Sequence, residues 1–187
     1  MLSSKKKGCL ERFTSILNDV SPHHATKVLE AYDLRSDMSD EDAWPKILDF
    51  ANHIGFQAPA RAYASAWPTD SYQYRFNEPN PWDGPWKGHA THVLDVAYLF
   101  LNYTEHLTSS QAELARQFTG DIIKFVNGKA PFQQFNEEFK FMKEYISKDG
   151  EGLLKQGQGD DDAHWQALFS SVGYDTLSGV WARFMGA

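Results

Sequence analysis

The residues of this sequence best suited to chemistry lie in a histidine-containing segment after a proline-rich loop. The segment reads Gly88-His89-Ala90-Thr91-His92-Val93-Leu94-Asp95. On one helix His89, His92 and Asp95 would share a face, which permits a metal site, although the H-E-x-x-H pattern of metalloproteases is absent. A general acid–base histidine is a second interpretation. Spacing alone favours a third, a structural histidine with satisfied hydrogen bonds.

The other histidines carry weaker signals. His23 and His24 are adjacent, and on a helix they would point about 100° apart, so they are predicted to be a surface pair. His53 lies beside an apolar helix face, which favours a structural role. His106 and His164 flank predicted helices and belong to no motif.

Helices and one strand are predicted to position the segment. Apolar spacing and capping residues predict helices over 9–19, from Ser21-Pro22 onward, from Ser39 to a stop at Gly55, and over 56–66. In the second half of the chain they predict a helix over part of 90–103, one from Ser109 or Ser110 to Val126, and one or two over 164–185. Alternating aromatic and polar residues predict a single strand over 71–76, and the proline- and tryptophan-rich stretch 77–88 is predicted to be a loop. Residues 132–145 are expected to form a helix or an extended arm, and residues 148–162 a flexible loop. The chain is therefore predicted to be predominantly α with one or two short strands, in a single domain.

A lone strand cannot satisfy its own backbone N–H and C=O groups. The chain is therefore either essentially all-helical with one extended segment, or part of a larger assembly that supplies the rest of a sheet.

The order of strand, loop and histidine motif resembles the segment that bears the triad histidine in type-B carboxylesterases, which are α/β-hydrolases. The motif Gly-x-x-x-His-x-x-Asp-x-x-Tyr-x-Phe is formed here by Gly88, His92, Asp95, Tyr98 and Phe100. The stretch 74–88 is similar to the fungal branch of that family, and 125–131 resembles a stretch downstream of its histidine. The resemblance covers residues 9–131 well and the remainder more loosely, and it implies the C-terminal portion of an α/β-hydrolase fold.

The resemblance implies roles for individual residues. His92 would be the general base that takes a proton from a serine hydroxyl and returns it to the leaving alcohol. Asp95 would be a carboxylate close to the histidine, rather than the triad acid. Trp82, Trp86 and Tyr98 would line a pocket for an apolar ester. The resemblance implies no cofactor and no metal.

The rest of the triad is missing from the sequence. α/β-Hydrolases order the triad as Ser, then Asp or Glu, then His, with the serine in a G-x-S-x-G elbow. That elbow is absent: Ser178-Gly179 is preceded by Thr176-Leu177. The HGGG-type oxyanion segment is also absent, and its donors are worth about 3–4 kcal/mol. The chain is therefore expected to be carboxylesterase-like but not competent alone.

Three functions remain open. The first is a carboxylesterase fragment, which is either a truncated gene product or a piece that complements a separate N-terminal portion and pairs with it through the strand edge at 72–76. The second is a non-catalytic helical protein for binding or assembly, or an accessory protein of a biosynthetic pathway, with the helix 110–126 and the closing helix around Trp181 and Phe184 as a homodimer interface. The third is a small independent enzyme using His92 with Asp95 or Glu78, which ranks last because it lacks a nucleophile.

Composition excludes several classes of protein. The 187 residues include 18 basic and 25 acidic side chains, a formal net charge of −7, which argues against a nucleic-acid partner. No apolar run approaches the roughly 20 residues of a membrane span. The one cysteine, Cys9, excludes an internal disulfide and a thiolate zinc cluster. Without a recognisable signal peptide, the default expectation is a cytoplasmic protein.

Overall fold

The structure is a computed structural model that describes residues 6–135, 141–151 and 162–186. The described residues are mostly helical and include a two-stranded parallel sheet. The α-helices are α1 (Cys9–Val20), α2 (Ala25–Ala31), α3 (Asp40–Asn52), α4 (Ala58–Ala66), α5 (Leu94–Leu99), α6 (Ser109–Val126), α7 (Lys148–Glu151), α8 (Asp162–Val172) and α9 (Tyr174–Gly186). The strands are β1 (Tyr74–Phe76) and β2 (Lys143–Tyr145). A π-helical turn (His53–Gln57) and a 3-10 turn (Thr104–His106) complete the helical elements that the described residues form.

The described residues form two compact units. The first combines residues 6–61 with 162–186, and the second contains residues 62–135 and 141–151; the division falls inside α4. Within the described part of the chain, no helix combines the length and the apolar character needed to cross a membrane.

The core of the first unit is built around Phe13 of α1. Its ring makes edge contacts with Phe50 of α3 at 5.0 Å and with Phe184 of α9 at 5.7 Å. The Asp40 carboxylate accepts hydrogen bonds from the backbone N–H groups of Gly8 (2.6 Å) and Leu10 (3.3 Å), so the start of α3 satisfies donors at the start of α1. Since these contacts join segments far apart in sequence, tertiary packing holds the helices of this unit together.

Capping explains where α3 begins. The Ser39 side chain accepts a hydrogen bond from the backbone N–H of Asp42, and acidic residues occupy the first turn, as the sequence predicts. The prediction that a helix starts at Ser21-Pro22 is wrong, because α2 begins only at Ala25. The Ser21 hydroxyl instead pairs with Nδ1 of His24 at 3.0 Å.

The predicted stop at Gly55 is also wrong. The chain continues through the π-helical turn into α4, and the N–H of Ala58 bonds to the carbonyl of His53. The wider turn buries both His53 and Ile54 while Gly55 stays helical, so no left-handed stop forms. His53 accordingly has a structural setting: its Nδ1 lies 2.9 Å from the Tyr32 hydroxyl and its ring stacks on Trp165.

The second unit contains the sheet. β1 and β2 pair in parallel, with Phe76 opposite Tyr145. Of the predicted strand 71–76, only the last three residues form β1. Ser71 forms an isolated antiparallel bridge with Phe135. Neither of the two alternatives for a lone strand is needed on this side of β1, because β1 pairs with β2 of the same chain. The extended alternative for 132–145 is correct at β2.

A second hydrophobic cluster packs against this sheet. Its buried members are Leu94, Tyr98, Leu114, Ala115, Phe118 and Tyr145. α6 ends at Val126 as predicted, but its cap is Thr108 rather than Ser109 or Ser110. Thr108 and Gln111 exchange the two hydrogen bonds of a capping box. The predicted loop 148–162 begins instead with the short helix α7, and residues 152–161 lie outside the described residues.

Candidate functional site

The loop that leads to His92 is closed by its own backbone. The N–H of Asn80 donates to the carbonyl of His89 at 2.9 Å, and the N–H of Gly88 donates to the carbonyl of Asn80 at 2.9 Å. The Asn80 side chain also accepts a hydrogen bond from the N–H of Trp82. These bonds join the two arms of the loop and so fix the backbone at the point where the segment containing His92 begins.

His92 itself is exposed, and the backbone beside it is strained. Val93 has φ 73°, in the left-handed region, where a β-branched residue is a conformational outlier. It is also the N-cap of α5 but offers no side-chain hydrogen bond, whereas Ser, Thr, Asp or Asn would be favoured there. Strain of this kind is worth about 1–3 kcal/mol and clusters at functional sites, where the surrounding structure maintains it.

Asp95 connects α5 to the sheet. Its Oδ2 accepts a hydrogen bond from the Tyr74 hydroxyl at 3.4 Å, a long contact. Burial raises the pKa of Tyr74 above its usual value, and the charge of Asp95 adds to that effect. The structure therefore shows Asp95 beside a tyrosine of β1, in the first turn of the helix that follows His92.

The aromatic residues expected to line a pocket occupy different environments. Tyr98 is 1 % exposed and packs edge-on against Phe76 at 5.1 Å, so it is a core residue here. Trp82 is half-buried and contacts Tyr103 at 5.8 Å. Trp86 is 55 % exposed.

Two open depressions of the surface lie away from these residues. One, of about 400 Å³, is lined by residues of α1 and by Arg183 of α9. The other, of about 520 Å³, is lined by residues 33–46, with several acidic side chains. Both belong to the first unit, so neither contains His92 or the aromatic residues of its loop.

Glu78 has a larger part in this region than the sequence predicts, which is only that of a possible partner of His92. Its side chain is 0 % exposed. Its carboxyl group accepts hydrogen bonds from the Ser147 N–H (2.6 Å), the Ser147 hydroxyl (3.0 Å) and the Gln111 side-chain amide (2.9 Å). The available signal was a charged residue two positions after the strand and directly before a proline.

The hydroxyl of Tyr98 lies in the same buried region. It has no hydrogen-bond partner among the described residues. Burial, and secondarily the negative charge of Glu78, raises the pKa of Tyr98 well above its usual value. The phenol therefore stays neutral, and it cannot act as a general base near neutral pH.

The structure does not place His89, His92 and Asp95 on one helix face, as the metal interpretation requires. Within the described residues, no group of three or more His, Cys, Asp and Glu side chains is arranged to hold a metal ion. The i, i+3 spacing of His89 and His92 does not lie on one helix, because α5 begins only at Leu94. An exposed imidazole can exchange protons with a group that approaches from outside.

No family of proteins, no curated protein and no solved structure matches this chain. The resemblance to type-B carboxylesterases is therefore neither supported nor contradicted by these comparisons, and it stays a prediction.

Proposed function

We propose that this chain is the histidine-bearing portion of a type-B carboxylesterase and that His92 is the general base of ester hydrolysis. The serine nucleophile and the oxyanion donors would come from a separate N-terminal portion. In this reaction His92 accepts the proton of the serine hydroxyl as the serine oxygen attacks the ester carbonyl. It then donates that proton to the leaving alcohol.

The observation that carries the proposal is the local strain beside His92. Val93 adopts a left-handed backbone that its β-branched side chain disfavours, next to an exposed histidine and directly after a closed loop. Leu101 and Tyr103 of the same segment are also left-handed, and Val93 is the one of the three that adjoins a candidate catalytic side chain. The sequence motif then favours a carboxylic ester with an apolar group as the substrate.

Exposed apolar side chains in the segment that follows the histidine fit a contact with that second portion. Val93, Phe100 and Tyr103 are 52 %, 68 % and 59 % exposed. Exposed apolar groups of this size in one segment are typical of surfaces that another chain covers. We infer that the N-terminal portion binds here and brings its serine to His92.

Reconstitution tests this function. The serine-bearing portion of a fungal type-B carboxylesterase, cut before its own histidine segment, is co-expressed with this chain or fused to it in frame. Hydrolysis of p-nitrophenyl butyrate is expected only with both portions present. The substitution His92→Ala should then reduce kcat by about 10⁴-fold or more, since triad members act as a unit.

The matched control is His106→Ala, at an exposed histidine on the 3-10 turn of the same unit. It should leave the rate unchanged. Equal rates for the two variants would refute the role of His92.

The second candidate function is non-catalytic self-assembly. Phe184, which the sequence predicts in the interface, is 0 % exposed, so that part of the prediction is wrong, and the exposed side chains of Val93, Phe100 and Tyr103 favour a contact instead. In that case the substitution Phe100→Ser should shift the chain from dimer to monomer in sedimentation velocity experiments. The control Tyr63→Ser, at a side chain 74 % exposed on α4, should not. A monomer at all concentrations for the unmodified chain would contradict assembly.

A further inference from the structure

Glu78 is a fully buried carboxyl group that the proposed reaction does not use. Charged side chains are almost never fully buried unless paired, because leaving water is costly for them. Among the described residues, its hydrogen-bond donors are nevertheless neutral groups, supplied by Ser147 and Gln111. Its three hydrogen bonds satisfy the buried carboxyl group, and they join Glu78 to the segments that supply the donors.

Its donors come from two separate segments. Gln111 lies in the first turn of α6, and Ser147 lies between β2 and α7. These segments are also joined to each other, because the Thr108 hydroxyl donates to the Asp149 carboxylate at 2.7 Å. The end of β1 is therefore fixed against the start of α6 and against the turn after β2.

The fit around Glu78 leaves no spare room. A Cβ atom on Gly150 would lie 2.7 Å from Oε2 of Glu78 and 2.9 Å from Cδ of Pro79. The Gly150 N–H donates instead to the Ser147 hydroxyl at 3.0 Å, and that hydroxyl donates to Glu78. Glu78 and Pro79 are thus confined by backbone as well as by hydrogen bonds.

Both flanks of His92 lead back to this buried region. On one side, Glu78 precedes Asn80, which closes the loop with Gly88 and His89. On the other side, Tyr98 of α5 is buried in the same cluster as β2 and α6. A strained conformation such as that of Val93 persists only where its surroundings determine it on both sides.

We propose that Glu78 is a positioning residue for His92: its hydrogen bonds to Ser147 and Gln111 fix the loop that presents the imidazole. The proposal rests on the proposed role of His92 in ester hydrolysis. Glu78 acts through the backbone of the loop and does not contact the reacting atoms.

Hydrogen exchange measured by NMR on the unmodified full chain and its variants tests the structural part without any enzyme activity. In Glu78→Ala, the hydrogen-bonded amides of Asn80, Gly88 and His89 should exchange about tenfold faster, because the loop loses its buried attachment. Amides in the centre of α6 should keep their rates. Glu78→Gln, which retains an acceptor for the Ser147 N–H, should give an intermediate increase and serves if the alanine variant does not fold. Glu113→Ala, at an exposed residue of α6, is the control and should change nothing.

Kinetics of the reconstituted esterase tests the functional part. A misplaced base should lower kcat by about 10²-fold in Glu78→Ala with little change in KM, and the glutamine variant should recover part of that loss. Equal acceleration of exchange in the loop and in α6 would overturn the proposal, since Glu78 would then only stabilise the unit. Faster loop exchange with unchanged kcat would overturn it as well. If His92→Ala leaves hydrolysis unchanged while Glu78→Ala loosens the loop, the failure is that of the proposed function and not of the attachment.

Discussion

The contact between Gly150 and Glu78 can be tested by adding one methyl group. In Gly150→Ala the new Cβ would lie 2.7 Å from Oε2 of Glu78, 2.9 Å from Cδ of Pro79 and 3.1 Å from Cγ1 of Ile146. Carbon atoms normally stay about 3.5–4.0 Å from their neighbours, so the group cannot be accommodated without displacement. Because Glu78 is buried and Pro79 is a rigid ring, neither can move away freely.

The expected magnitude combines opposing contributions. Overpacking of a well-packed interior is worth about 1–3 kcal/mol of destabilisation. Displacement of Glu78 weakens a buried hydrogen bond to Ser147, at about 1 kcal/mol. Replacing glycine by alanine in a helix returns about 1 kcal/mol. The free energy of unfolding should therefore fall by about 2 kcal/mol.

Urea-induced unfolding followed by circular dichroism measures this change. The matched control is Gly120→Ala in α6, where an added Cβ meets nothing within 4 Å. That variant should be more stable than the unmodified chain by about 0.5–1 kcal/mol, which reverses the sign. If Gly150→Ala is as stable as Gly120→Ala, the close approach to Glu78 is not present in solution.

Two further predictions concern pH. Burial in the first place, and a hydrogen bond to a buried aspartate in the second, raise the pKa of Tyr145. The contribution of Tyr145 to the free energy of unfolding is therefore fully present below the unfolded pKa of about 10 and falls as the pH rises above that value. In urea unfolding between pH 9 and 11, Tyr145→Phe should show a shallower decline than Tyr63→Phe, and equal slopes would contradict this assignment. At the acid side, the backbone N–H groups of Gly8 and Leu10 hold the pKa of Asp40 below its usual value. The contribution of Asp40 to the free energy of unfolding is present above the unfolded pKa of about 3.9 and is lost as the pH falls through the lowered pKa of the folded state. In Asp40→Asn the free energy of unfolding should therefore decline less steeply at acid pH. An acid profile equal to that of the unmodified chain would contradict this prediction.

Features set by local sequence could be predicted. The bounds of α1 and the C-terminal end of α6 follow from helical spacing, and Ser39 marks the start of α3 through its own side chain. The helix stop predicted at Gly55 is wrong because a glycine stop requires a left-handed backbone. Here burial of His53 and Ile54 favours a continuing π-helical turn.

Features set by distant contacts could not be predicted. β2 is only three residues long, and its partner strand β1 lies much earlier in the chain, with most of the second unit between them. No local sequence pattern therefore predicts β2. The position of Glu78 depends on donors that lie 33 and 69 residues away. The motif indicates His92 from the sequence, whereas no sequence pattern predicts the left-handed backbone of Val93.

The discontinuous first unit has a consequence for biosynthesis. Its residues 6–61 leave the ribosome before any of the second unit, and residues 162–186 leave after it. At about 5–20 residues per second, Phe184 of α9 is synthesised roughly 9–34 seconds after Phe13, and only then can it cover that ring. The second unit, in contrast, is continuous and can fold during that interval. The early helices can pack on one another, but the part of the α1 surface that α9 covers stays exposed until α9 is synthesised, which makes it a target for chaperones during translation.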